Sequence, residues 1–144
     1  MNRSFVRVMM AVAITGMLGV SFVGAQGARM EAYENALRQK LEGMMPKDAK
    51  VKVQLGDAKS GGGMDVELRI TMAMDKFMEF APVAALEAAG IPHKFPTVHI
   101  VLREETADRV GRIAFADAEP IAGKYLAGDK NGAIAEMKRK IIWH

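Results

Sequence analysis

The chain contains no cysteine. That single absence removes disulfide frameworks, thiol nucleophiles, cysteine-ligated zinc and iron–sulfur clusters. Aromatic residues are sparse and no basic stripe is interleaved with them, so a nucleic-acid interface is not expected. There is no GxSxG elbow and no serine beside a base, which leaves a serine hydrolase without its nucleophile. The glycine-rich stretch at Ser60–Gly63 lacks the lysine and the strand-to-helix setting of a phosphate loop. It reads instead as a flexible connection between two strands.

What is present begins with a leader. Arg3 and Arg7 form a short positive head, and the sixteen residues from Val8 to Val23 carry no charge. Small or β-branched residues follow at Val23–Ala25, in the positions a signal peptidase reads. The apolar run is shorter than the roughly 20 residues that span a bilayer comfortably. Residues 1–25 are therefore expected to be a secretory signal peptide cleaved near Ala25, with an uncleaved membrane anchor as the alternative. Residues 26–144 are expected to form one globular domain, periplasmic or secreted. Two of the twenty basic residues lie in the leader, so the remainder carries eighteen against seventeen acidic ones. A net charge so close to zero gives nucleic acid no electrostatic footing.

Periodicity sets the expected elements. Met30, Tyr33, Leu37 and Leu41 recur at helical spacing over residues 29–43, and Gly43 is a stop signal. Val51, Val53 and Leu55 alternate with polar residues, as in a half-buried strand. A second strand is expected over 64–74, with Met64 through Met74 on one parity. A helix from Asp75 to Gly90 follows, with a kink or break at Pro82. Strands are predicted over 97–104 and 109–117, with Gly111 as a bulge. Short helices are predicted from Pro120 to Leu126 and from Ala133 to Ile142. The order is helix, strand, strand, helix, strand, strand, helix. This is an α+β, two-layer fold: a four-stranded, mostly antiparallel sheet with helices on one face.

Candidate sites are few. Met72, Met74 and Met78 would suit Cu(I) if they converged, since soft thioethers select it. The same parity carries Val66, Leu68 and Ile70, so they also read as a continuation of the core face. His93, His99 and His144 show no metal-ligand spacing. His99 with Glu104 or Glu105 would supply the base and orienter of a small hydrolase, although no nucleophile accompanies them. His93 and Phe95 sit in a loop between Pro92 and Pro96. Ile142 and Trp143 leave an apolar end, which either closes the core or meets a partner.

The sequence reading is thus an exported, non-enzymatic binding or adaptor domain, without a cofactor. Its expected partner is an envelope or secreted protein, or a small apolar ligand. His93, Phe95, Ile142 and Trp143 are its candidate contacts. Membrane contact is expected only through an uncleaved leader. A periplasmic copper-binding protein and a small hydrolase are the alternatives.

Overall fold

The computed structural model describes residues 15–58 and 61–144. The first fourteen residues of the expected leader lie outside the described residues. The backbone is helical in α1, Thr15–Glu42, which runs past the expected cleavage point. Its periodic stripe behaves as the sequence requires: Tyr33, Leu37 and Leu41 are buried. Gly43 follows the last turn, and its N–H closes onto the Gln39 carbonyl at 3.1 Å.

Two strands, β1 (Lys50–Asp57) and β2 (Met64–Thr71), then form an antiparallel hairpin. Gly61 and Gly62 both have φ +77°, a region open to glycine and strained for most other residues. Glycine at 61 and 62 is therefore a turn requirement. The chain next enters α2 (Met74–Gly90), β3 (Thr97–Glu104) and β4 (Arg109–Ala114). Two further helices, α3 (Phe115–Leu126) and α4 (Lys130–Lys140), precede a two-residue strand, β5 (Ile142–Trp143).

The fold is α+β, but the sheet is mixed and five-stranded, in the order β1-β2-β3-β4-β5. The expectation of four mostly antiparallel strands is corrected in two places. First, β2 and β3 are neighbours and run parallel, with Leu68 opposite Leu102. The helix between them returns the chain to the end where β2 began, so two adjacent hairpins necessarily meet in parallel. Second, the chain after α4 leaves the helix and adds Ile142 and Trp143 to β4.

Several boundaries also move. Strand β2 stops at Thr71, and Met74 opens α2. Helix α2 continues unbroken through Pro82, and Asp75 lies inside the helix rather than at its cap. Helix α3 starts at Phe115, five residues before Pro120, because Phe115 turns into the core. Gly111 lies in an uninterrupted antiparallel register, opposite Leu102 and Trp143, and is not a bulge.

One sheet face carries the core. Val66, Leu68, Ile70, Ile100, Leu102 and Ile113 meet Phe77, Leu86, Ile121 and Met137 from the helices. The other face is ionic. Glu67 accepts from Arg103 at 3.0 Å and from Arg69 at 3.3 Å, and Arg103 also reaches Asp108 at 3.1 Å. Alternation along β2 explains both faces, because Asp65, Glu67 and Arg69 point away from the apolar set.

Gly111 is required by a close approach. A Cβ there would lie 2.6 Å from the Trp143 ring and 2.8 Å from Ile141. We predict that Gly111→Ala destabilises the fold by about 2 kcal/mol, through overpacking. A lowered thermal midpoint, with changed Trp143 emission, is the expected result. An unchanged midpoint would show that β5 is not docked as described.

Candidate functional site

The loop after α2 is fixed by its own sequence. Pro92 and Pro96 restrict the backbone on either side of His93 and Phe95. The two rings stack, with centroids 4.5 Å apart and planes inclined by 22°. Tyr33 of α1 meets both edge-on, at 5.4 Å from His93 and 5.3 Å from Phe95. Phe115, the first residue of α3, adds a third edge at 5.2 Å from His93. Such offset and perpendicular contacts suit the ring quadrupoles.

Around this cluster lies a cleft of about 350 Å³, lined by Arg29, Ala32, Tyr33 and Ala36 of α1 and by residues 91–95. The small side chains at 32 and 36 leave room beside the rings, while Arg29 and Lys94 supply positive charge. The Tyr33 hydroxyl donates to the Ala88 carbonyl at 2.6 Å, tying α1 to the last turns of α2. Burial pushes its pKa up, so the phenol stays protonated and committed to that bond. His93 Nδ1 is buried and finds no hydrogen-bond partner among the described residues. The cleft therefore offers π surface and cations, the chemistry of binding an apolar body with an anionic group.

Ile142 and Trp143 belong to a different place. Ile142 is 64% exposed. Trp143 packs edge-on to Phe77 at 5.7 Å, and the Arg109 guanidinium sits 5.3 Å from its ring centroid. With Met78, Pro82, Lys138, Arg139 and Ile141 it lines a second groove of about 340 Å³. The sequence grouped His93, Phe95, Ile142 and Trp143 as contacts, but the fold puts His93 and Phe95 on one cleft and Trp143 on another, with no lining residue in common, and Ile142 lines neither.

The methionines lie on two kinds of backbone. Met72 follows the end of β2, Met74 opens α2 and is exposed, and Met78 lies one turn on, beside Trp143. Met72 and Met74 do not share a strand face, because the strand ends before both. Among the described residues no group of three or more histidine, aspartate or glutamate side chains is placed to hold a metal ion.

His99 and Glu104 are likewise not brought together. They differ by an odd number of residues along β3 and so face opposite sides of the sheet. His99 Nδ1 instead lies 3.3 Å from Asp65 Oδ1 on the ionic face, a pairing that follows from the parallel register. Glu105 pairs with Arg69 at 3.7 Å.

Glu104 turns inward and is 1% exposed. Its Oε1 accepts from the Thr106 hydroxyl at 2.6 Å and the Ala107 N–H at 2.7 Å. Its Oε2 accepts from the Met72 N–H at 3.3 Å. Burial alone would raise its pKa, but these bonds outweigh that and hold the carboxyl below its ordinary value. The hydrolase alternative offered Glu104 or Glu105 as the acidic partner of His99, whereas the contacts of Glu104 are those of a turn organiser.

Two features were absent from the sequence reading. Tyr33 was legible as a core position but not as a cleft wall. Glu87, buried in α2, accepts from the Tyr125 hydroxyl at 3.0 Å and lies 3.6 Å from Lys40 Nζ. No local pattern announces that three-helix tie. Among the described residues no helix is long and apolar enough to cross a membrane. Comparison of the chain with protein-family models, curated proteins and solved structures gave no match.

The depressed Glu104 pKa has a definite sign. Its contribution to stability is complete above the unfolded carboxylate pKa and is lost as pH falls through the lowered folded value. Wild type is expected to lose stability on acidification below the usual carboxylate range, and Glu104→Gln to show a shallower acid limb. Glu104→Ala, which strands three donors, should cost about 3 kcal/mol at neutral pH. Denaturant midpoints measured against pH check both; parallel acid limbs in wild type and the Gln variant would remove Glu104 as the titrating group.

Proposed function

We propose that this chain is an exported, non-enzymatic binding domain that holds a small apolar ligand between α1 and the 91–95 loop. The observation that carries the reading is the aromatic wall of Tyr33, His93 and Phe95 beside Arg29 and Lys94. The leader pattern of residues 1–25 supports export, to the periplasm or beyond. Rings held by two prolines and by a tyrosine anchored at its hydroxyl are pre-organised, which lowers the entropy cost of binding. A ligand with a flat or acyl body and one carboxylate, sulfonate or phosphate group fits both the wall and the rim. The cleft volume limits its size to a small molecule.

A second reading is favoured by the exposure of Ile142 beside Trp143. An adaptor role would use Ile142 together with the separate Trp143 groove for a protein partner, since partly exposed tryptophan with neighbouring arginine is typical of binding hot spots.

Anilinonaphthalene sulfonate, an anionic aromatic dye, is the probe for the first reading. The folded protein is expected to bind it at one site, and Phe95→Ala to weaken binding roughly tenfold by removing an aromatic face. Arg29→Ala should weaken it less, and more visibly at low salt. Equal dye affinity in wild type and Phe95→Ala, with both folded by circular dichroism, would refute the cleft assignment.

A further inference from the structure

Strand β1 is an edge: among the described residues nothing pairs with its outer side. The Leu55 N–H does not bond within the sheet but donates to Glu34 Oε2 of α1 at 2.8 Å. Leu55 therefore points its backbone outward, and alternation along an antiparallel strand sets Val51 and Val53 outward too. A groove of about 470 Å³ runs alongside, lined by Glu34 and Arg38 of α1 and by Val51–Leu55. It is separate from the cleft assigned to the ligand.

We propose that this edge is a self-association surface, joining two copies of the chain antiparallel through β1 about a two-fold axis at Val53. In that register Val53 of each copy exchanges both backbone bonds with Val53 of the other. Val51 likewise exchanges with Leu55 of the second copy. Lys52 then faces Gln54 of the second copy and Lys50 faces Gly56, so no lysine opposes a lysine. Registers centred on Val51 or Lys52 would oppose lysines across the seam, and those centred on Gln54 or Leu55 would set Val51 or Val53 against Asp57. The alternation "KVKVQLGD" thus singles out one self-pairing.

Helix α1 completes the complementarity. Glu34 lies beside Leu55, and Arg38, one turn later, lines the same groove toward Val51. The two-fold brings Val51 against Leu55 of the second copy, and with it Arg38 against Glu34 of the second copy. Glu34 is released from the Leu55 N–H, which the Val51 carbonyl of the second copy then satisfies. The same surface is self-complementary in hydrogen bonding and in charge, as a two-fold contact requires. The result is a continuous ten-stranded sheet whose cleft residues remain open in both copies.

The test is the mass of the full chain, expressed with its own leader, by native mass spectrometry and light scattering over roughly 1–100 μM. A dimer is expected, increasing with concentration. Val53→Pro removes an N–H that the monomer does not use, so its circular dichroism should be unchanged while self-affinity falls roughly tenfold or more. Arg38→Glu should weaken association, and Arg38→Glu with Glu34→Arg should restore it. The charge pair decides the matter even if the proline variant fails to fold. A monomer throughout the range overturns the proposal, including one that binds an added extended peptide. So does a dimer that survives both Val53→Pro and Arg38→Glu, which would place the contact on another surface.

Discussion

The parallel seam between β2 and β3 is the constraint on which the rest of the structure depends, and a buried carboxylate holds it. Ile70 lies opposite Glu104 in the register, and the Glu105 N–H donates to the Ile70 carbonyl at 3.1 Å. Glu104 then gathers Met72, Thr106 and Ala107 around its two oxygens. Removing a carboxylate from water is costly unless its lone pairs are satisfied. Here three donors from both sides of the seam satisfy them. One side chain ties the end of β2 to the β3–β4 turn, and a slip by one residue would break those bonds and turn each strand inside out.

That register explains where the chemistry lies. It puts Asp65 opposite His99 and Arg69 opposite Arg103. Arg69 beside Arg103 is a like-charge pair that the sheet tolerates because Glu67 reaches both. Each such pair is only half-buried, and isolated surface pairs contribute little. The ionic face is therefore better understood as a solvated surface whose charges cancel than as a source of stability.

Much of this was legible in the sequence, and the failures share one cause. The α1 stripe, the β1 alternation and the face of β2 follow from side-chain periods, which are local. So does the α+β class. The parallel pairing depends on which strands become neighbours, and no periodicity encodes that. Met72 and Met74 extended the parity of β2 past Thr71 because parity does not register where a helix begins. Phe115 and Ile142 were misplaced for the opposite reason: their apolar character fits strand or helix, and packing decided. The cleft lay almost wholly beyond sequence reasoning. His93 and Phe95 were visible between their prolines, but Tyr33 and Arg29 reach them only once α1 folds across the end of α2.

Helix α1 is where these strands of argument meet. At about 100° per residue, Tyr33, Leu37 and Leu41 form its buried stripe. Arg29, Ala32 and Ala36 flank that stripe on one side, and Glu34 and Arg38 flank it on the other. The first flank faces the aromatic loop and the second faces the β1 edge. Lys40, at the far end, reaches Glu87 and through it Tyr125. The helix is thus held by its core stripe, by the Tyr33 hydroxyl on Ala88 and by the Glu87 tie. Because one rigid element carries both flanks, rotating α1 to widen the cleft would also carry Glu34 and Arg38 relative to β1. Ligand and self-association would then be coupled through the same rotation, in the reciprocal way linkage demands. Ala32 and Ala36 leave room beside the rings, so a ligand of the proposed kind would enter without displacing the helix, and that coupling would be weak.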